Sequence, residues 1–135
     1  MTVGDYTLRY DDKHHVLLIA FGKQLTNDIF MAGYDAVRRF AASRGPCSMI
    51  ADFSAVENFD LSNELLRRLG GMSGAVPAEM KRIAVAPQPV IYGAARAVQA
   101  RRTESRGDLT VLRTLDEANT IFGARASDFV AVDLT

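Results

Sequence analysis

CSMIADFSAVENFDLSNELLRRLGG, residues 47–71, contains the change of rhythm that sets the fold class. Cys47 to Phe53 is apolar apart from Ser48 and Asp52, and so continuous a run predicts a strand buried on both faces. A polar segment follows. Leu65, Leu66 and Leu69 then recur at helical spacing, predicting a short helix with Gly70-Gly71 as its stop. Arg82 to Ala86 (RIAVA) reads as the next core strand. A strand, helix, strand unit joins parallel strands by a right-handed crossover, so the stretch predicts an α/β fold with a parallel sheet portion.

The flanks extend the pattern. Tyr6 to Asp11 alternates Tyr6, Leu8 and Tyr10 with polar residues, and His15 to Gly22 carries the apolar run VLLIAF, so Asp11-Asp12-Lys13 closes an opening hairpin. Thr26 is placed to cap a helix reaching about Arg44, with Phe30, Val37, Phe40 and Ala41 on one side and Gly45-Pro46 as the stop. Pro89 suits the first turn of a helix whose inward stripe is Ile91, Ala94, Ala95 and Val98, closed by Arg101-Arg102. Leu109 to Arg113 is a last strand, and Thr114-x-x-Glu117 is a capping box for a helix with Ala118, Ile121 and Phe122, stopped by Gly123. Gly71 to Glu79 mixes Gly, Ser, Ala and Pro and is expected to be the most mobile internal stretch. No element is assigned from Ser127 onward. The expectation is a single domain over residues 1–135, with a mixed, partly parallel five-stranded sheet and about four helices.

At 135 residues, 48% hydrophobic and 24% charged, the chain has the size and composition of one ordinary globular domain. Sixteen Lys and Arg balance sixteen Asp and Glu, so no long-range positive field gathers nucleic acid, and none is expected as a partner. Cys47 is the only cysteine, which suits a reducing compartment. Met1 to Asp5 lacks the pattern of a secretory leader, and no apolar run approaches the ~20 residues that cross a bilayer. A cytoplasmic, non-membrane-spanning protein is expected.

The order strand, strand, helix, strand, helix, strand, helix, strand, helix resembles the STAS domain, the fold of bacterial anti-sigma-factor antagonists and of the cytoplasmic part of sulfate transporters. IADFSAVENFDLSNELLRRL (50–69) looks like that family's central signature, and Asp60-Leu61-Ser62 falls where the antagonists keep their phosphorylated serine. IAVAPQPVIYGAARAVQ and LTVLRTLDEA look more like the divergent STAS-like group of small bacterial proteins of unassigned role. The resemblance covers nearly the whole chain and implies a regulatory, protein-interacting module. In antagonists a second Ser precedes the modified one and a Gly follows it, whereas this chain has Leu61 and Asn63.

The candidate site residues each have a plainer reading. Asp60 and Ser62 stand where either caps the following helix, while the resemblance implies phosphorylation of Ser62. Were Ser62 phosphorylated, Asp52, Asp60 and Glu64 would repel the added charge and any acidic partner, giving a release switch. Open α/β sheets bind ligands beyond the carboxyl ends of their strands, and those ends deliver Asp52, Ser54, Gln88 and Thr114. Tyr92 and Arg96 are one helical turn apart, either facing one ligand or covering a neighbouring element. His14-His15 point to opposite faces of a strand, with no further ligand at metal spacing, so no metal is expected. No cofactor is expected, because phosphate-binding, dinucleotide, nucleophile-elbow and zinc-protease motifs are all missing.

Three functions follow from these residues. The first is a protein-interaction module docking a protein partner around Asp60 to Arg68, switched by Ser62. The second is a small-molecule or lipid-binding module, with Met72 to Pro77 as a lid. The third, least favoured, is an enzyme using Asp52 or Tyr92 as general acid or base. A homodimer is a further expectation, since the edge strand Tyr6 to Asp11 and the tail FVAVDL offer unpaired backbone groups.

Overall fold

A computed structural model describes residues 5–72, 76, 79–102 and 109–132. Residues 73–75, 77 and 78 lie outside it, and with them most of the expected mobile loop and lid.

Strands β1 (Tyr6–Asp11) and β2 (Val16–Phe21) form the opening hairpin, with Tyr6 opposite Phe21 and Asp11 opposite Val16. Then come β3 (Gln24–Thr26), α1 (Asn27–Arg44), β4 (Ser48–Asp52), β5 (Asn58–Asp60), α2 (Asn63–Gly71), β6 (Arg82–Val85), α3 (Pro89–Arg101), β7 (Leu109–Leu112), α4 (Leu115–Phe122) and β8 (Val130–Ala131). The main sheet runs β7-β6-β4-β2-β1-β8, parallel from β2 through β7 and antiparallel at β1 and β8. It has six strands where five were expected. The extra strand, β8, is two residues long, too short for a periodic signal, and it pairs with β1 at Arg9 and Tyr10. The tail therefore covers part of the β1 edge that was expected to be open.

The helix ends follow their capping residues. Thr26 Oγ1 accepts from Ile29 N at 3.3 Å, Ser62 Oγ from Leu65 N at 3.1 Å, and Thr114 Oγ1 from Glu117 N at 3.2 Å. Gly123 closes α4 in the left-handed region at φ 66°.

Helix α2 ends at Gly71, at the glycine pair expected to stop it. Gly70 also sits where α2 crosses α3, and a Cβ there would lie 2.5 Å from Arg101 Cβ. That carbon is tied to the backbone and cannot swing away, so any larger residue must push the helices apart. Gly70→Ala is expected to destabilise, because overpacking costs about 1–3 kcal/mol and outweighs alanine's helix preference of ~1 kcal/mol. A lower urea midpoint with an unchanged slope is the expected reading; a raised midpoint would contradict the close crossing.

The sheet's two faces differ. On one, Val16, Leu18, Ile50, Ile83 and Val85 pack against Ala118 of α4 and against Phe129. On the other, α1 and the α2–α3 pair cover Leu17, Ile19, Phe21 and Ala84. Phe21 is the hub of this second layer, stacking on Phe30 at 5.8 Å and Phe53 at 5.2 Å between ring centroids.

Candidate functional site

Strand β4 is central in the sheet, between β2 and β6. It was expected to be buried on both faces, yet only Ser48 and Ile50 are buried, while Met49, Ala51 and Asp52 are half-buried. Alternate residues of a strand share a face, so Met49 and Ala51 look out on the side of α1, α2 and α3. They line an apolar pocket of about 140 Å³.

Small side chains leave the space. Ala51 and Ala84 on the strands face Ala94 and Ala95 on α3, and four alanines cannot bridge the gap between a sheet and its covering helices. Larger groups ring the opening thus left: Phe30 of α1, Phe53, Phe59, Leu61, and Leu66 of α2. The inward stripe of α3 is split by this, since Ile91 and Val98 are buried while Ala94 and Ala95 stay half-buried against the pocket.

Arg82, Arg102 and Tyr34 also line the pocket. Arg82 is only 6% exposed, because it occupies the same face of β6 as Ala84. Its guanidinium donates to Met80 O at 3.2 Å and to Val76 O, while Arg102 Nη1 donates to Leu69 O at 2.9 Å. Burial and then the charge of Arg102 pull the Arg82 guanidinium below its usual pKa, against weaker support from Tyr34 and Glu79. Burial raises the Tyr34 phenol, while Arg102, Arg38 and Arg82 pull it down. The three side chains therefore feel one another across the same wall.

The residues singled out from sequence lie elsewhere, in small local clusters. Asp52 Oδ1 accepts from Ser54 N at 3.0 Å and from Ser54 Oγ at 2.5 Å, closing the turn after β4. Gln88 Nε2 clamps that turn, donating to Phe53 O and Val56 O at 2.9 Å and to Ser54 O at 3.3 Å. Asp52, Ser54 and Gln88 are thus brought together, in structural roles. Arg96 Nη1 donates to Tyr92 OH at 3.5 Å, and the Arg113 guanidinium lies 4.0 Å over the Tyr92 ring. Thr114 caps α4 and bonds Glu117 Oε1 at 2.9 Å.

Ser62 is exposed and joined to Asn27 in both directions: Asn27 Nδ2 donates to Ser62 Oγ at 3.1 Å, and Ser62 N to Asn27 Oδ1 at 3.0 Å. The short parallel pair β3–β5, missed in the sequence, sets Thr26 beside Asp60 and so brings the starts of α1 and α2 together. Thr26, Asn27, Asp28, Asp60 and Ser62 share a shallow polar recess there. Ser62→Ala removes a cap and the Asn27 contact, for an expected loss of about 1–2 kcal/mol; Ser62→Asp, itself a capping residue, is expected to retain most of the stability. Equal melting of the alanine variant and the parent would contradict this.

At the other end of the sheet the described residues bring Asp11, His14 and Asp128 within 4.8 Å through one ligand-capable atom each. Each has work already. Asp11 Oδ2 lies 2.6 Å from His14 Nδ1, and Asp128 Oδ2 accepts from Arg125 N at 2.8 Å.

No described helix is long and apolar enough to cross a membrane. No family model matches the chain, and neither does any curated protein or solved structure.

Proposed function

We propose that the protein is a binding module for a small, largely apolar molecule, held between the sheet and helices α1, α2 and α3, with no reaction of its own. The apolar pocket of about 140 Å³ carries this reading. An apolar cavity of about 150 Å³ takes up benzene, so the space here is of ligand size. Burying each CH₂ contributes ~0.8 kcal/mol, so an eight-carbon chain gives roughly 6 kcal/mol and a dissociation constant between millimolar and micromolar. Such a ligand stabilises the folded chain by mass action. Octan-1-ol is therefore expected to raise the melting temperature in a saturable way, and no rise at any concentration would overturn the reading.

A second reading rests on a separate observation. Ser62 is exposed, at the joined starts of α1 and α2, and a phosphate on it would displace Asn27 while meeting Asp28 and Asp60. The STAS-like resemblance around Asp60-Leu61-Ser62 supports a regulatory, partner-releasing switch there. A phosphate on protein isolated from its own host, lost in Ser62→Ala, is the expected result; an unmodified serine under all growth conditions would remove it. A cytoplasmic setting belongs to the same proposal and draws support from Cys47 being the only cysteine of the sequence, which suits a reducing compartment.

A further inference from the structure

Three phenylalanines reach the pocket from three places in the chain: Phe30 from α1, Phe53 from the turn after β4, and Phe59 from β5. Two of them are built into a stack. Phe30 and Phe53 each lie nearly parallel to Phe21, at interplanar angles of 14° and 12°, so the planes of both rings are set by the protein itself. Phe59 is different. It is half-buried and lines the same opening, yet among the described residues it stacks on no other ring. Leucine or methionine would cover apolar space as well, and methionine would adapt its shape to whatever entered. A ring offers in addition an electron-rich face and an electron-poor edge, and these attract another ring beyond the area the two bury.

Resting on the pocket reading above, we infer that the ligand is a small molecule with a single aromatic ring and a short tail, and that Phe59 is the ring partner it meets. The space agrees in size, since about 140 Å³ stands close to the ~150 Å³ of an apolar cavity that takes up benzene. Each aromatic pair raises affinity about two- to tenfold over what burial alone supplies. A saturated ring on the same skeleton carries more hydrogens and so more apolar area, and burial alone ranks it first. The phenylalanine wall reverses that order. Phe30 and Phe53 hold the neighbouring walls stiff through Phe21, so a flat ring enters a slot of fixed orientation and orders little of the protein on binding.

The test compares 2-phenylethanol with 2-cyclohexylethanol, which share a carbon skeleton and differ in ring saturation, by calorimetric titration of the full chain, with octan-1-ol as the control for the pocket. In the parent, 2-phenylethanol is expected to bind at least about threefold more tightly, the scale of one ring pair. In Phe59→Leu, which keeps the apolar bulk and removes the ring, that ratio should fall at least about twofold while 2-cyclohexylethanol binds much as before; in Phe59→Tyr, which keeps the ring, it should persist. The parent comparison decides alone if Phe59→Leu does not fold. A parent ratio below about threefold, or the same ratio in Phe59→Leu as in the parent, would overturn the aromatic inference and leave the pocket reading in place if octan-1-ol binds. If none of the three compounds binds, both fall.

Discussion

Ala95→Leu should bind octan-1-ol at least about tenfold more weakly than the parent chain and yet melt at a higher temperature. The two effects have one cause. Ala95 is half-buried and lines the pocket beside Ala94, so added methylenes enter empty space rather than a packed core. Cavity filling of this kind commonly stabilises by about 0.5–2 kcal/mol, a few degrees for a domain of this size. The ligand loses the same volume, and each methylene it can no longer bury removes ~0.8 kcal/mol of affinity. A variant that is less stable and binds no worse would mean that Ala95 faces packed protein.

The second large effect lies far from the pocket. Asp11→Ala is expected to cost about 3 kcal/mol, because Asp11 is 1% exposed and its carboxylate organises the β1–β2 turn. Its oxygens accept from Lys13 N at 2.9 Å, His14 N at 3.1 Å and the His14 ring at 2.6 Å. Burial pushes this carboxyl up, but the His14 ring and the two backbone N–H groups outweigh it and hold it below the usual value. A depressed folded-state pKa means that stability is present above the unfolded value of about 3.9 and is lost as pH falls through the folded one. The parent should therefore lose stability steeply below about pH 4, and Asp11→Ala should show a shallower acid limb. Parallel acid limbs would show that Asp11 is not the group responsible.

Much of this fold was legible because its signals are local. The capping serine and threonines, the Pro at the start of α3 and the left-handed Gly123 each act within one turn of chain. The three-residue strands β3 and β5 were not legible, since each has too few residues for alternation and their pairing joins Gln24 to Asn58 across 34 positions. β8 escaped for the same reason. Gly70 showed its helix-breaking composition but not its neighbour, and the crossing with Arg101 decides its role.

The site was less legible than the fold. Asp52, Ser54, Gln88 and Thr114 were singled out for their polarity at strand ends, and their partners turned out to be nearby turns and caps. Alanines say nothing about a void until the distance between sheet and helix is known. One signal was available. RIAVA opens a core strand with an arginine, and a charge at the start of a fully buried strand needs something to face.

The central claim is that an apolar ligand enters between the sheet and α1, α2 and α3, and methyl-resolved NMR during titration with octan-1-ol tests it most directly. Saturable shifts are predicted at Leu66, Leu69, Ile91 and Val98, which line the pocket, with Val16 and Leu18 on the opposite face of the sheet unmoved. Shifts spread evenly over both faces, or none at the pocket methyls, would contradict it.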